Sequence, residues 1–466
     1  MISTYTRFPQ FEIEVRRPDY TVLNYEDELI ATFGVIQSKE VSTACISYEF
    51  SESLSSPSSS FSFNLTLERD SSGKTWMDKI QIRDLVFFKE HGKTKFVGYV
   101  TNRRYAARMG EKAPQRMITI SGMNIGNLLV SFSIVMDQHI LAANKTAQSA
   151  SQQFMSSIAS KIEVNQSLAG LLKAIIKSYL DMQDAIGESG ASGIRQIIDT
   201  FFDLSSKFST QIVAKYPMAL SLFQMGENNL FNILQSIITP PFHEMYSKWN
   251  PSTNKFELIV RPTPFDPEDW SKLPLHVVPD NIPPLFLQSY DIGNSDSEVY
   301  TVFGVFLPGS GFSREKVLTL ENFSLNLKKD TTKWPYYGYK PLFVELKFFN
   351  RSNESTFQAG ELMRLYSQKL YDWFNNNPNY YSGTVTLMNV QNQQYPSSPT
   401  IGERLGLLGG EFYIEDVHHS WEYEGPMTLS LSVSRGFTYS QAGIPQYPIA
   451  QIGQKIGILE TLKTEE

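Results

Sequence analysis

Between Met427 and Ser434 the chain reads Met-Thr-Leu-Ser-Leu-Ser-Val-Ser, a strict alternation of apolar and hydroxyl residues. Successive side chains on a strand point to opposite faces. The segment 427–435 therefore predicts a half-buried strand with Met427, Leu429, Leu431 and Val433 on a core and small hydroxyls on the other side. Residues 411–423, joined to it through Gly425-Pro426, predict the other arm of a long hairpin, and 384–390 a further strand. The same period appears early in the chain, in Phe61-Ser-Phe-Asn-Leu-Thr-Leu-Glu68, closed by the turn Asp70-Ser-Ser-Gly73. Strands are predicted at 79–88, 94–103 and 117–122, with a tight turn at His91-Gly92-Lys93. Seven of the ten residues from Ser51 to Ser60 are Ser, which predicts a flexible loop between early strands.

Helical periodicity takes over in the middle. Leu168, Leu171, Leu172, Ile175 and Tyr179 form one stripe, Ile194, Ile197, Ile198, Phe201 and Phe208 a second, and Leu230, Ile233, Leu234 and Ile237 a third. Gly187 to Gly193 separates the first two, and Pro240-Pro241 stops the third. Lys and acidic residues are balanced on the polar faces, so these stripes are expected to pack on the protein's own core rather than on a membrane. A Pro-rich passage to Pro284 carries one strand at 256–260, strands resume over 285–306, and a helix over 358–375 places Leu362, Leu365, Trp373 and Phe374 on its apolar side.

Lys plus Arg is 41 and Asp plus Glu is 48, a net charge of −7, which argues against gripping nucleic acid through phosphate neutralisation. Only 19% of residues are charged while 13% are aromatic, a balance suited to large subunit contacts. The single Cys45 excludes a disulfide framework and a Cys-based metal centre. The start, Met1-Ile-Ser-Thr-Tyr-Thr-Arg7, carries no apolar core of a secretory leader, and no window reaches the roughly 20 apolar residues a spanning helix needs. Synthesis in a reducing cytosol without stable membrane insertion is expected.

Motifs for chemistry fail one by one. Ser72-Gly73-Lys74-Thr75 resembles the end of a phosphate-binding loop, but Glu68 stands where the first glycine is required. His243-Glu244 lacks the second histidine of a zinc-peptidase helix. His418 and His419 are adjacent on a predicted strand, so they point to opposite faces and cannot share one metal without a bulge. Gly187-Glu-Ser-Gly-Ala-Ser-Gly193 is a turn rather than a nucleophile elbow. No catalytic, metal or cofactor-binding residue is assigned; the chain is read as a non-enzyme.

Four stretches carry a resemblance to a known family: Phe96-Val-Gly-Tyr-Val-Thr101 with Met117-Ile-Thr-Ile-Ser-Gly-Met-Asn-Ile-Gly-Asn-Leu-Leu129; Leu230 through Pro241-Phe-His-Glu244 to Arg261-Pro-Thr-Pro-Phe265; Tyr337-Gly-Tyr-Lys-Pro341; and Gly410-Glu-Phe-Tyr-Ile-Glu-Asp-Val-His-His-Ser-Trp421 with 427–436 behind it. In this order the chain resembles the baseplate hub proteins of phage tails and related contractile injection systems, the late-control-protein-D-like family. The resemblance implies an α+β, mainly antiparallel β fold: two tail-tube-like β-barrel domains with a helical insert between them. The implied domains are 1–140 (first barrel), 141–240 (helical insert), 241–284 (Pro-rich connecting segment), 285–436 (second barrel, including helix 358–375) and 437–466 (an extended arm).

It further implies a homotrimer in the virion tail baseplate, made in the host cytoplasm. Six barrels would match the six-fold tail tube or tube-initiator protein above to a separate three-fold central spike below, a closed cyclic assembly. The tape-measure protein and baseplate wedge proteins are implied partners, and DNA passes through without specific binding. Long hairpins have unpaired edges that a neighbour would cover. The candidate subunit or tube interface comprises Ile80, Ile82, Phe96, Val100, Trp421, Met427, Leu429 and Leu431; some of these must be barrel core instead, and core is the favoured reading for any single one. Two other readings remain open: a tail-associated cell-wall hydrolase and a carbohydrate-binding tail module.

Overall fold

The computed structural model describes residues 10–19, 25–36, 39–42, 44–56, 58–109, 114–131, 133–135, 193–203, 227–229, 240–278, 287–306, 327–346, 356–388, 398–407 and 410–438, with a few isolated positions between them. The expected helices around 168–179 and 230–237, the Gly187 turn and the arm beyond 438 lie largely or wholly outside the described residues.

The first β module contains β1 (Phe11–Pro18), β2 (Asp27–Ile36), β3 (Lys39–Ser42), β4 (Cys45–Ser53), β5 (Ser60–Thr66), the short α1 (Trp76–Lys79), β6 (Leu85–Glu90), β7 (Lys93–Met109) and β8 (Pro114–Asn124). Its strands lie in the order β4-β5-β8-β7-β6-β1-β2-β3. Alternation fills the interior with rings: Phe33, Phe50, Phe61, Phe63, Phe88 and Phe96 are all buried in one cluster. Phe61 stands edge-on to Phe88 and Phe96 at centroid distances of 5.3 and 5.9 Å, the geometry the ring quadrupole favours. Phe61 fits because its neighbours across the sheet are glycines. A Cβ added at Gly122 would come within 2.6 Å of the Phe61 ring, and one at Gly98 within 2.7 Å.

The strand expected over 79–88 forms only in its second half, Lys79 ending a short helix instead. Thr75 caps α1, its backbone N–H donating to Asp78 Oδ2 at 2.7 Å. The Gln81 N–H then donates to Asp84 Oδ2 at 2.7 Å in a turn, so β6 starts only at Leu85. Of the Ser-rich segment 51–60, the first three residues belong to β4 and the last to β5, leaving a shorter loop than expected.

After α2 (Asn127–Ser131), β9 (Ser133–Val135) pairs with β11 (Glu227–Asn229), while α3 (Gly193–Phe201) leads into β10 (Phe202–Asp203). The Pro-rich passage carries a hairpin rather than a single strand: β12 (His243–Asn250) pairs antiparallel with β13 (Lys255–Pro262), followed by α4 (Pro267–Ser271) and β14 (Leu275–Val277).

The second β module is formed by β15 (Leu287–Gly293), β19 (Tyr381–Met388), β20 (Arg404–Leu407), β21 (Gly410–Glu422) and β22 (Thr428–Thr438). Between β15 and β19 the chain makes a side layer of β16 (Val302–Phe306), β17 (Lys328–Lys329), α5 (Trp334–Tyr337), β18 (Pro341–Glu345) and α6 (Thr356–Phe374), with β17-β16-β18 as its sheet. The expected inward position of Leu365 on α6 is not observed. Leu370 and Trp373 are buried, Tyr366 packs beside them one turn earlier, and Leu365 is 63% exposed. That is an i, i+4, i+7 stripe, which rotates Leu365 to the solvent side.

The two modules share a topology. Numbering β4, β5, β6, β7 and β8 as one to five in chain order, their order in space is 1-2-5-4-3, and β15, β19, β20, β21 and β22 repeat it. Every neighbouring pair is antiparallel in both modules. The modules are joined edge to edge, β21 pairing antiparallel with β4 from Asp416↔Ser53 to Glu422↔Ser47. A single sheet thus runs through both.

Candidate functional site

The junction is built on a change of partner along β21. Its first residues, Gly410 to Tyr413, pair with β20; beyond the short β20 the same edge is taken over by β4. On the inner side, Trp421 of β21 lies between two rings of the first module, 4.4 Å from Phe11 and 6.1 Å from Tyr48. Next to them a polar cluster is sealed in. His419 Nδ1 lies 2.8 Å from Glu90 Oε2, and the Tyr48 hydroxyl donates to Glu90 Oε1 at 2.9 Å. Burial by itself would raise the Glu90 carboxyl, but the neighbouring His419, with Lys95 and the Tyr48 hydroxyl, outweighs it and holds the group at about 2.

Glu52, on the same face of β4, has no such partner. Its Oε1 is buried without a hydrogen bond. Burial pushes its carboxyl up to about 7, against the pull of His419, Lys248, the Trp249 N–H and Lys95. A second cluster follows where β12 and β20 meet: Glu403 lies 2.6 Å from His276 Nε2 and 3.2 Å from Lys248 Nζ, and these two partners override its burial to hold it at about 2.

The opposite face of the shared sheet has a different chemistry. Register places Thr428, Ser420, Glu49, Ser62, Ser121 and Asn102 side by side on β22, β21, β4, β5, β8 and β7. One row along run Thr386, Ser430, His418 and Ser51; another holds Glu422, Ser47, Asn64, Thr119 and Arg104. Many of these polar groups are spent on one another. Ser62 donates to Glu49 at 2.9 Å, Asn64 to Ser47 at 2.8 Å and Thr119 to Asn64 at 2.7 Å, while Ser420 and Thr428 share a bond of 2.6 Å. The face also carries Glu49, Asp416 and Glu422, with Arg104 at its β7 margin. Two open depressions of about 370 and 450 Å³ mark it, one beside His418 and Thr101, the other beside Trp421 and Gln288. Such a surface is hydrated, weakly acidic and poor in free donors for phosphate.

The expected interface residues fall elsewhere. Ile80, Phe96, Val100, Leu429 and Leu431 are buried in the modules' own cores, and Trp421 and Met427 are buried where the modules meet. Alternation explains this, since apolar positions on half-buried strands face inward. Burial within one chain withdraws these seven from contact with a neighbour; Ile82 alone of the eight is exposed. His418 and His419 do point to opposite faces, His418 to the hydroxyl face and His419 to the junction. The sequence reading missed Glu52 and Glu90. An acid at an inward position of an alternating strand, as in Tyr48-Glu-Phe-Ser-Glu52, is the mark that could have found Glu52. Among the described residues no group of His, Cys, Asp and Glu is placed to hold a metal ion, and no helix is long and apolar enough to cross a membrane.

No protein-family model matches the chain, and no curated protein does. Among solved structures it is similar to phage tail proteins. The 43 kDa tail protein of prophage MuSo2 from Shewanella oneidensis aligns at 13% identity, covering 91% of this chain and 98% of that one, with a TM-score of 0.46. A tail protein from Neisseria meningitidis MC58 aligns at 11% identity over 94% and 98% of the two chains, also at 0.46. The Francisella PdpA-VgrG complex aligns at 10% identity over 93% of this chain and 53% of that one, at 0.41.

Proposed function

We propose that the chain is a structural hub of a phage tail baseplate or a related contractile injection system. In this reading three copies close into a ring of six β modules around a channel. The ring matches a six-fold tail tube to a three-fold central spike, and DNA slides past its inner wall.

The observation that carries the reading is the repeated 1-2-5-4-3 strand order joined edge to edge through β4 and β21. A chain that holds two copies of one module, already paired as neighbours in a ring would be, supplies six-fold contacts from three subunits. The motif resemblance of the sequence supports the same assignment. The hydroxyl face is the surface suited to the channel: it runs unbroken across the junction, and its acids repel the phosphate backbone while its hydroxyls bond one another. The experiment is light scattering on the purified chain at high concentration, alone and co-expressed with a candidate spike protein. Three-fold the 53.0 kDa chain mass is expected; a monomer in both preparations overturns the reading.

The side layer favours a second reading, glycan binding. Trp334 and Tyr339 meet edge to face at 6.1 Å, and Tyr336 beside them is 85% exposed. Binding to a glycan array that is lost in Trp334→Ala would support it.

A further inference from the structure

The junction within the chain has a counterpart that is unpaired among the described residues. Strand β21 gives one edge to β20 and then, past the end of β20, to β4. Strand β7, its equivalent in the first module, gives the same edge to β6 over Lys93 to Tyr99. From Asn102 to Met109 it is paired with β8 on its other side alone, among the described residues. At the far end of the sheet β15, the equivalent of β4, is paired with β19 alone, again among the described residues. The molecule therefore carries one completed junction and the two separate halves of a second.

The halves match. Tyr48, buried against Trp421 in the completed junction, is the fourth residue of β4; the fourth residue of β15 is Tyr290, which is 53% exposed. Tyr105, on the face of β7 that bears Arg103 rather than Asn102, is 59% exposed. Most of β15 and of Thr101 to Ala107 is open to solvent, an unusual state for two long strand edges in one chain. On the hydroxyl face, Asp291 of β15 and Arg104 of β7 carry opposite charge.

We infer that β15 of one copy pairs antiparallel with the Asn102–Arg108 half of β7 in a second copy, repeating the β4·β21 junction between subunits. The inference rests on the ring reading above and names the surfaces that close it. Three β4·β21 junctions within chains then alternate with three β15·β7 junctions between them, and the hydroxyl face becomes continuous around the ring. Because paired residues share a face, Ser289 and Asp291 stand opposite Asn102, Arg104 and Ala106 in any register, while Tyr290 stands opposite Arg103, Tyr105 or Ala107.

The test is cysteine cross-linking in the full chain. Ser289→Cys is combined in turn with Asn102→Cys, Arg104→Cys, Ala106→Cys, Tyr105→Cys and Ala107→Cys, and each double variant is oxidised and its mass measured. A period of two is expected, with at least one of the first three giving ten-fold more covalent multimer than either of the last two. Amide exchange on the unmodified assembly gives a second readout, with protection expected on β15 and on residues 102–107. A chain that is trimeric by light scattering yet shows neither the alternation nor the protection overturns the β15·β7 pairing and leaves the hub reading standing. A chain that is monomeric throughout overturns both.

Discussion

His419 Nδ1 lies 2.8 Å from Glu90 Oε2, and the Phe50 ring stacks on the imidazole at 4.4 Å, so the β21–β22 hairpin is bonded into the core of the first module. The two side chains are 5% and 1% exposed. Removing one partner of a buried pair strands the other without solvent. His419→Ala should therefore cost about 3–5 kcal/mol in chemical denaturation, against less than about 1 kcal/mol for the half-exposed neighbour in His418→Ala.

Glu52 makes the junction sensitive to pH in the opposite sense to Glu90. Its carboxyl is raised to about 7, so the folded state holds the proton more tightly than the unfolded one. The associated stability is complete below the ordinary carboxyl range and is lost as pH rises through 7. Each tenfold difference in proton affinity between the folded and unfolded chain is worth about 1.4 kcal/mol. Between about pH 5 and pH 8 the wild type should therefore lose roughly 3 kcal/mol relative to Glu52→Gln. Glu90, held at about 2, contributes stability that is present above its unfolded value and lost as pH falls through 2. Denaturation midpoints of wild type and Glu52→Gln across this window check the sign; parallel curves contradict it.

Gly122 sets how closely β8 passes the Phe61 ring. An added Cβ would press on the Tyr99 carbonyl oxygen of β7 and stand 2.6 Å from the Phe61 ring, so Gly122→Ala strains the β7·β8 pairing as well as forcing Phe61 from the space between Phe88 and Phe96. A loss of about 1–3 kcal/mol is expected, and Gly122→Ala with Phe61→Leu should recover part of it. Thermal unfolding of the single and double variants measures the coupling.

The hydroxyl face is expected to be indifferent to DNA. Wild type should show no binding to double-stranded DNA at physiological salt. Ser62→Lys, Ser420→Lys and Ser430→Lys together should create binding that weakens steeply as salt rises. Fluorescence anisotropy over a salt series reads both, and tight binding by the wild type would exclude this face as a channel wall.

Alternation made the outer architecture legible in the sequence. The apolar and hydroxyl faces of 427–435 and of 61–68 emerged as β22 and β5, and the helix at 358–375 as α6. What pairs with what was not legible, because the β4·β21 contact joins residues hundreds of positions apart and leaves no local pattern. For the same reason Trp421 and Met427 read as interface candidates or as the core of a single barrel, and not as the seam between two modules. Glu90 was hidden by its context, Phe87-Phe88-Lys89-Glu90 before a turn, which reads as the solvated end of a strand until His419 is brought over it. The hairpin at 243–262 was masked by its flanking prolines, which lie outside the paired residues or at their margin.

The central claim is that three two-module chains make one six-module ring. Rotational averaging of electron micrographs of the purified assembly tests it most directly. The account predicts a ring of three subunits showing six near-equivalent lobes, with Ser62, Ser420 and Ser430 facing the opening. A single globule, a two-fold dimer, or a ring with that face turned outward would contradict it.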